Sequence, residues 1–431
     1  MIVLETMEAD IETDSDIKPS GLRTWAAREV LKPHCRRTGN WLVVESSGSP
    51  GCFGGWDIVF DDIEAGRWYE IGLDWQADEV PNVLDSVPIF VFWMDEGDER
   101  CDYDYLIIRT PEGSEGRAER TLRAPDEACR AVLRFGLRWT ATGRAVFKKP
   151  SVNAGEAPPE RTVRVATITP EPAGDTVDER VEFFCDWIRQ AADDCNPDLV
   201  LLPEVATSWR LDGTVIDHAR PIPGPQTDAL CATAAECEVM VALSVMERDG
   251  DLVYNTGLII EKDGLIEATY RKSNLAIPEG WWGVTPGEEI PVFDTSIGRL
   301  SMNICKDVST SEQVRVPAVN GAEMLLVPIM GDFRSVQWRA RQFAFSPDRW
   351  KVIMRARAIE NHLWMVIARN NRQASCIINP GGDILAYNDG SHDIIWADCD
   401  LSERLRPKRG SSFHDATWAE RRPHLYGDLS K

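Results

Sequence analysis

Two rhythms of apolar and polar positions divide the chain. Up to about residue 150, short runs rich in Trp, Tyr, Phe, Val and Ile are separated by turn residues, at 40–46, 56–63, 67–77, 87–94, 102–109 and 131–148. Many short strands with little helical periodicity predict an all-β sandwich or jelly roll over 18–150. From 162 onward strand and helix patterns alternate. Residues 162–168 read as a strand. Residues 176–194 read as a helix, because Val177, Val181, Phe184, Ile188 and Ala192 recur near the 3.6-residue period. Continuous apolar runs predict buried strands at 199–202 and 240–246, and a hairpin spans 254–272 around Asp263-Gly264. Further strands are expected at 299–305, 323–330, 363–369 and 375–387. A helix is expected at 348–361, with Ser346 as N-cap and Pro347 at its first position. This alternation predicts an α/β domain over 162–431, its strands buried by helices. The stretch 151–161 is small, polar and proline-rich, and reads as a linker.

The chain has 431 residues, enough for two domains with sizeable cores. Its formal net charge of -23 is shared by both halves, so the acidity reads as a solubility property of the whole molecule. It argues against nucleic acid or an anionic membrane as partner, since both need clustered Lys and Arg. Residues 5–16 are acidic and contain no Lys or Arg, so 1–17 are expected to form a solvated, disordered tail. No apolar run approaches the roughly 20 residues that span a bilayer. The first residues have no basic n-region and no long apolar h-region, so a secretory leader is not expected. The 11 cysteines are scattered, with no C-x-x-C pair and no Cys/His cluster at zinc spacing. That usage predicts free thiols in a reducing cytoplasm, and no metal.

Three short stretches carry candidate chemistry. Each places a reactive residue at the end of an apolar, strand-like run: Leu201-Leu202-Pro203-Glu204, Tyr270-Arg271-Lys272 and Asn303-Ile304-Cys305-Lys306-Asp307. Cys305 falls near a strand-to-helix turn, before a Ser309…Glu312 capping box, where backbone N–H groups stabilise a thiolate or an oxyanion. Glu204 falls at the carboxyl edge of a buried strand, where α/β sheets place ligands, and is suited to accept the thiol proton. Lys272 supplies a fixed cation for a developing alkoxide. Arg271 beside it points to the opposite face of the strand and reads as structural. Taken singly, each has a plainer reading as a buried core thiol, a strand-end carboxylate or a solvated lysine. The combination of base, cation and sulfur nucleophile is what breaks a carbon–nitrogen bond through a thioester.

In these motifs the sequence resembles the nitrilase, or carbon–nitrogen hydrolase, superfamily, over about 162–429. The resemblance continues through 321–328, through Arg355-Ala356-Arg357-Ala358-Ile359-Glu360-Asn361, and ends at Arg422-Pro423-His424-Leu425-Tyr426-Gly427. It implies an α-β-β-α sandwich paired into a homodimer or higher homo-oligomer. It also implies Glu204 as general base, Lys272 as oxyanion lysine, Cys305 as nucleophile, and no cofactor. Glu279, in Ile277-Pro278-Glu279-Gly280-Trp281-Trp282, fits the further glutamate that many members carry between Lys and Cys. Glu288 and Glu289 fit less well. The chain departs from the family pattern where Lys306 replaces the aromatic residue after the cysteine. It departs again where Thr310-Ser311-Glu312 replaces Phe-Pro-Glu, and where Pro317 falls inside the expected helix, to kink or end it. Lys306, Trp281 and Trp282 are the candidate substrate-binding residues. If the two tryptophans wall the pocket, they favour an apolar or aromatic acyl group.

These readings converge on an amidohydrolase acting on a small, linear, non-peptide amide. An N-carbamoyl hydrolase or a nitrilase would use the same triad, but the absence of Cys-Trp-Glu shifts the choice from nitriles to amides. A rival of another class is a binding protein on a scaffold hydrolase domain. The run Gly66-Arg67-Trp68-Tyr69-Glu70-Ile71-Gly72-Leu73-Asp74-Trp75 resembles the core strand of carbohydrate-binding jelly-roll modules, which makes a glycan the candidate ligand of the N-terminal domain. A Cys–His hydrolase is a third alternative, with six histidines to draw on and none in a recognisable partner motif.

Overall fold

A computed structural model describes residues 2–7, 11, 13, 15–108, 114–331, 336–339, 342–402 and 404–430. The chain divides into two compact units. One is Met1–Pro159 with Arg404–Lys431, and the other is Glu160–Glu403.

The first unit holds two antiparallel sheets. Six strands run in the order Ile2–Met7, Gly21–Ala26, Phe53–Phe60, Arg130–Arg138, Ile89–Met94, Arg100–Tyr105. Five run in the order His34–Thr38, Trp41–Glu45, Arg144–Ala154, Trp68–Asp78, Glu115–Arg123. Strand alternation sends Trp56, Ile58 and Phe60 of one sheet and Tyr69, Ile71 and Leu73 of the other into one shared apolar core. Three of the expected domain bounds differ from the sequence reading. Ile2–Met7, expected in a disordered tail, pairs with Gly21–Ala26. Ser151–Ala154, expected in the linker, pairs with Tyr69–Gly72, and Val152 is fully buried. The segment Arg404–Lys431, assigned by sequence to the hydrolase domain, packs in the first unit. Charge pairing explains this: Arg406 reaches the buried Asp104 at 2.9 Å, Arg120 meets Asp415 at 2.6 Å, and the Tyr105 hydroxyl donates to Glu420 at 2.8 Å.

The second unit holds two six-stranded sheets. The first runs Ile266–Arg271, Leu252–Ile260, Met240–Asp249, Leu199–Leu201, Thr162–Ile168, Ile394–Asp400. The second runs Phe293–Thr295, Gly298–Met302, Met324–Ile329, Trp364–Arg369, Cys376–Ile378, Ile384–Tyr387. Leu199, Leu201, Met240 and Tyr270 of the first share a core with Leu300, Met302, Met324 and Val366 of the second. Gly257 makes close approach possible, because a Cβ there would meet Met302 Sδ at 2.1 Å. On the outer side of the first sheet, Val181, Phe184 and Ile188 of helix Val177–Cys195 and Leu230 of helix Pro225–Cys237 pack against Val200, Val241 and Leu258. Thr176 opens the longer helix with a capping box to Glu179. Helix Pro347–Asn361 contacts the strands Trp364–Arg369 and Cys376–Ile378 of the second sheet, and Ser346 caps it by accepting from Arg349 N. The order is thus helix, sheet, sheet, helix.

The capping box expected at Ser309 and Glu312 does not form. Cys305–Ser309 is a 3-10 turn, the next helix is Ser311–Val319, and Thr310 makes no side-chain cap. Pro317 lies inside that helix, which ends two residues later. Among the described residues, no helix is long and apolar enough to cross a membrane. None of the eleven cysteines, all of them described residues, is in a disulfide.

Candidate active site

The site is built where strands of both sheets end. Leu199–Leu201 lies inside the first sheet, between two parallel neighbours, and its continuous apolar sequence matches burial on both faces. The chain leaves this strand through Leu202 and Pro203 and delivers Glu204, 2% exposed, at its carboxyl end. Val205 follows in the left-handed region (φ 44°), its N–H held by Ser244 Oγ at 2.9 Å. Lys272 directly follows Ile266–Arg271 at the sheet edge, and its N–H bonds the Asn255 carbonyl at 2.9 Å. Cys305 comes from the second sheet, three residues beyond Gly298–Met302.

Lys272 is 1% exposed and sits between two carboxylates. Its Nζ donates to Glu204 Oε1 at 2.8 Å and to Glu279 Oε2 at 2.7 Å. Asn255 Nδ2 bridges the same pair, at 3.0 Å to each glutamate. The other oxygen of Glu204 accepts from Met330 N at 3.1 Å. Glu279 lies in the short helix Ile277–Trp281, where its Oε2 also accepts from Ala276 N at 2.7 Å. Burial alone would push the lysine pKa down, but the charges of Glu204 and Glu279 outweigh it and raise it. Lys272 is therefore a fixed cation at any working pH.

Cys305 opens its 3-10 turn with φ 48°, a conformation that costs a non-glycine residue about 1–3 kcal/mol. What holds it there is Asp307, fully buried two residues on. Asp307 accepts from Tyr270 OH at 2.7 Å, Ile304 N at 2.9 Å and Asn274 N at 2.8 Å. Gln313 adds bonds to Ser273 Oγ at 2.8 Å and from Asn274 Nδ2 at 2.9 Å. The nucleophile turn of one sheet is thereby tied to the lysine strand of the other. The Cys305 thiol donates to the Gly331 carbonyl at 3.5 Å. Burial and the neighbouring Glu204 push its pKa up, against the opposing pull of Lys272. At neutral pH the resting sulfur is a thiol. Iodoacetamide labelling of the Cys305 peptide, followed by mass spectrometry, should accordingly show no inflection below about pH 8.5, the free-thiol value. An inflection near pH 6 would mean a preformed thiolate.

A cavity of about 450 Å³ joins these groups, lined by Glu204, Lys272, Glu279, Cys305, Asn255 and Met330, and further out by Trp209, Arg210, Leu211, Val215, His218, Met246 and Trp282. The four residues singled out by sequence as catalytic thus share one wall. The three substrate-binding candidates divide. Trp282 lines the cavity, whereas Trp281 is 81% exposed and outside its lining. Lys306 is likewise outside it, since the 3-10 turn carries successive side chains apart. His218 is the one histidine in the lining among the described residues, and its Nε2 lies 2.9 Å from the Asp212 carbonyl. Sequence reading passed over Asn255, the Asp307 network and the 205–218 segment. For Asn255 no local signal existed, because its role depends on two carboxylates from elsewhere. Among the described residues, no group of three or more His, Cys, Asp or Glu is placed to hold a metal ion.

Comparison with known proteins finds a family match and relatives. The model of the Carbon-nitrogen hydrolase family matches residues 164–406. Omega-amidase NIT2 of Homo sapiens is 28% identical over 243 residues, 52% of this chain and 84% of that protein. Omega-amidase NIT2 of Danio rerio is 28% identical over 221 residues, 47% and 76% of the two chains. A solved carbon-nitrogen hydrolase from Helicobacter pylori G27 shares the fold with TM-score 0.51 at 22% identity, covering 63% of this chain and 99% of that one. An amidase from Nesterenkonia sp. does so with TM-score 0.50 at 21% identity, covering 64% and 99%.

Proposed function

This chain belongs to the carbon-nitrogen hydrolase family, and from that premise we propose that it is an amidohydrolase cleaving a small, linear, non-peptide amide through a Cys305 thioester. The observation that carries the reading is the Lys272 ammonium clamped between Glu204 and Glu279 on the wall that Cys305 shares. Glu204 takes the thiol proton as sulfur bonds to the carbonyl carbon. Lys272 and the backbone N–H after the cysteine hold the oxyanion. As the C–N bond breaks, Glu204 returns the proton to the leaving nitrogen, and ammonia or an amine departs. Glu204 then deprotonates water, which attacks the thioester. The C–S bond breaks, the acid leaves and the thiol is restored. Glu279 holds Lys272 in place throughout. Because the resting thiol is protonated, proton removal and attack are coupled, which is why the base must sit in the same wall.

The matched relatives, omega-amidases by name, support the amide as substrate. The two-sheet first unit is read here as a jelly-roll sandwich, with a glycan as its candidate ligand, and the second unit as the part that assembles copies of the chain.

The test is mass spectrometry of the full-length protein quenched during turnover of an amide panel. An acyl adduct on the Cys305 peptide, with release of ammonia or amine, is the expected result. An adduct on another cysteine, or hydrolysis with Cys305 unmodified under trapping, would overturn the mechanism. CO₂ released with ammonia from a ureido acid, or acid formed directly from a nitrile, would identify the carbamoyl or nitrile chemistry instead.

A further inference from the structure

The cavity is not symmetric in its chemistry. Glu204, Lys272, Glu279 and Cys305 lie together, and the remainder of the described lining sets the apolar Trp209, Leu211, Val215, Met246 and Trp282 beside the polar Ser208, Arg210, Thr214 and His218. Lys272 and Arg210, the lysine and arginine of the described lining, each have an acidic partner within the chain. Lys272 is held by two carboxylates. Arg210 pairs with Glu171 at 2.7 Å and lies over the Trp209 ring, 4.2 Å from its centroid. His218 turns Nε2 to the Asp212 carbonyl at 2.9 Å. With Glu204 and Glu279 against Lys272, the reacting end is net acidic. An anionic acyl tail would leave water for apolar walls, with a carboxylate pair already in place to repel it.

Resting on the amidase reading, we infer that the acyl pocket selects amides whose acyl group is uncharged and apolar, aliphatic or aromatic, and rejects those ending in a carboxylate. The amide enters with its carbonyl at Cys305 and its acyl chain along the tryptophan and methionine side. A volume of about 450 Å³ suits a small molecule of this kind, since such sites span roughly 300–1,000 Å³. Trp209 and Trp282 are the specificity-determining residues, because they are the two tryptophans of the lining.

The experiment compares three amides of equal chain length with the full-length enzyme: one ending in methyl, one in carboxylate, one in ammonium. Hydrolysis is measured as kcat/KM, and binding of the same amides is measured by calorimetry on the Cys305→Ala variant, which makes no thioester. The methyl-ended amide is expected to exceed the carboxylate-ended one by about 100-fold in both readouts. Equal or better hydrolysis of the carboxylate-ended amide overturns the inference and leaves the amidase reading standing. Preferential binding of the methyl-ended amide with no hydrolysis by the wild type supports the inference and overturns the amidase reading. Preference for the ammonium-ended amide in both readouts also overturns the inference, by showing that the acidic pair governs the whole pocket. Absence of binding by all three overturns both.

Discussion

Replacing Glu204 with Gln is expected to lower kcat on an amide substrate by about 10²–10⁴-fold, the contribution of one positioned proton-transfer group. The expectation follows from the protonation state of the nucleophile. Burial, the largest influence on the Cys305 thiol, keeps it protonated at rest with or without the Glu204 charge, so sulfur depends on a base to lose its proton. Glutamine keeps the shape. Its Oε1 still accepts from Lys272 Nζ and Asn255 Nδ2, the bonds that Glu204 Oε1 makes at 2.8 and 3.0 Å. Its amide nitrogen, however, meets Met330 N–H, donor against donor, where the carboxylate now accepts at 3.1 Å. Lys272 retains Glu279 at 2.7 Å, so the loss falls on chemistry more than on the fold. KM should change far less than kcat, the signature of an interaction used in the transition state. Glu204→Asp keeps the charge but withdraws it by one methylene, and should recover part of the rate. A Gln variant within about tenfold of wild type in kcat would remove Glu204 from the role of base.

The candidate site was legible where a buried strand announces its own end. Leu199 to Leu202 is a continuous apolar run, and Arg299 to Ile304 alternates with Leu300, Met302 and Ile304 apolar; both are strand patterns that end at a sheet edge, so Glu204 and Cys305 are placed by the same physics that places the strands. Residues whose role depends on distant partners were not legible. Asn255 reads as an ordinary strand residue until two carboxylates 51 and 24 positions away converge on its amide nitrogen. Trp281 and Trp282 are neighbours in sequence, yet a short helix turns one into the cavity lining and the other to solvent, a distinction that composition does not carry. In the first unit, acidic residues among the apolar ones give the edge strand Ile2–Met7 the composition of a solvated tail. The charged strand Glu115–Arg123 was missed for a similar reason: only Ala118 and Leu122 of it are buried. The packing of Arg404–Lys431 in the first unit rests on ion pairs with Asp102 and Asp104, about 300 positions earlier, and no local pattern encodes such pairing.

Lys272→Met should be the most damaging single change to the second unit, costing about 3–5 kcal/mol of stability, the range for breaking a buried ion pair from one side. Methionine fills the space but leaves Glu204 and Glu279 buried without their shared cation, bridged only by Asn255 Nδ2. Activity should fall as well, by about 10²–10³-fold, the usual effect of removing one oxyanion donor. The pH at which stability is measured matters. The folded pKa of Lys272 is raised: burial works against the charge, but Glu204 and Glu279 outweigh it. A raised lysine contributes fully below its unfolded value, about 10.4, and loses that contribution as pH climbs from there through the folded value. Urea melts near neutral pH therefore read the whole effect. A double-mutant cycle separates charge from packing. In a Glu279→Gln background one of the two stranded carboxylates is already neutral, so Lys272→Met should cost less there than in the wild type. If the lysine instead served only as packing, its removal would cost the same in both backgrounds. Equal losses would show that the two carboxylates and the ammonium do not act as one electrostatic unit, and the fixed cation on which the oxyanion depends would have to be sought elsewhere.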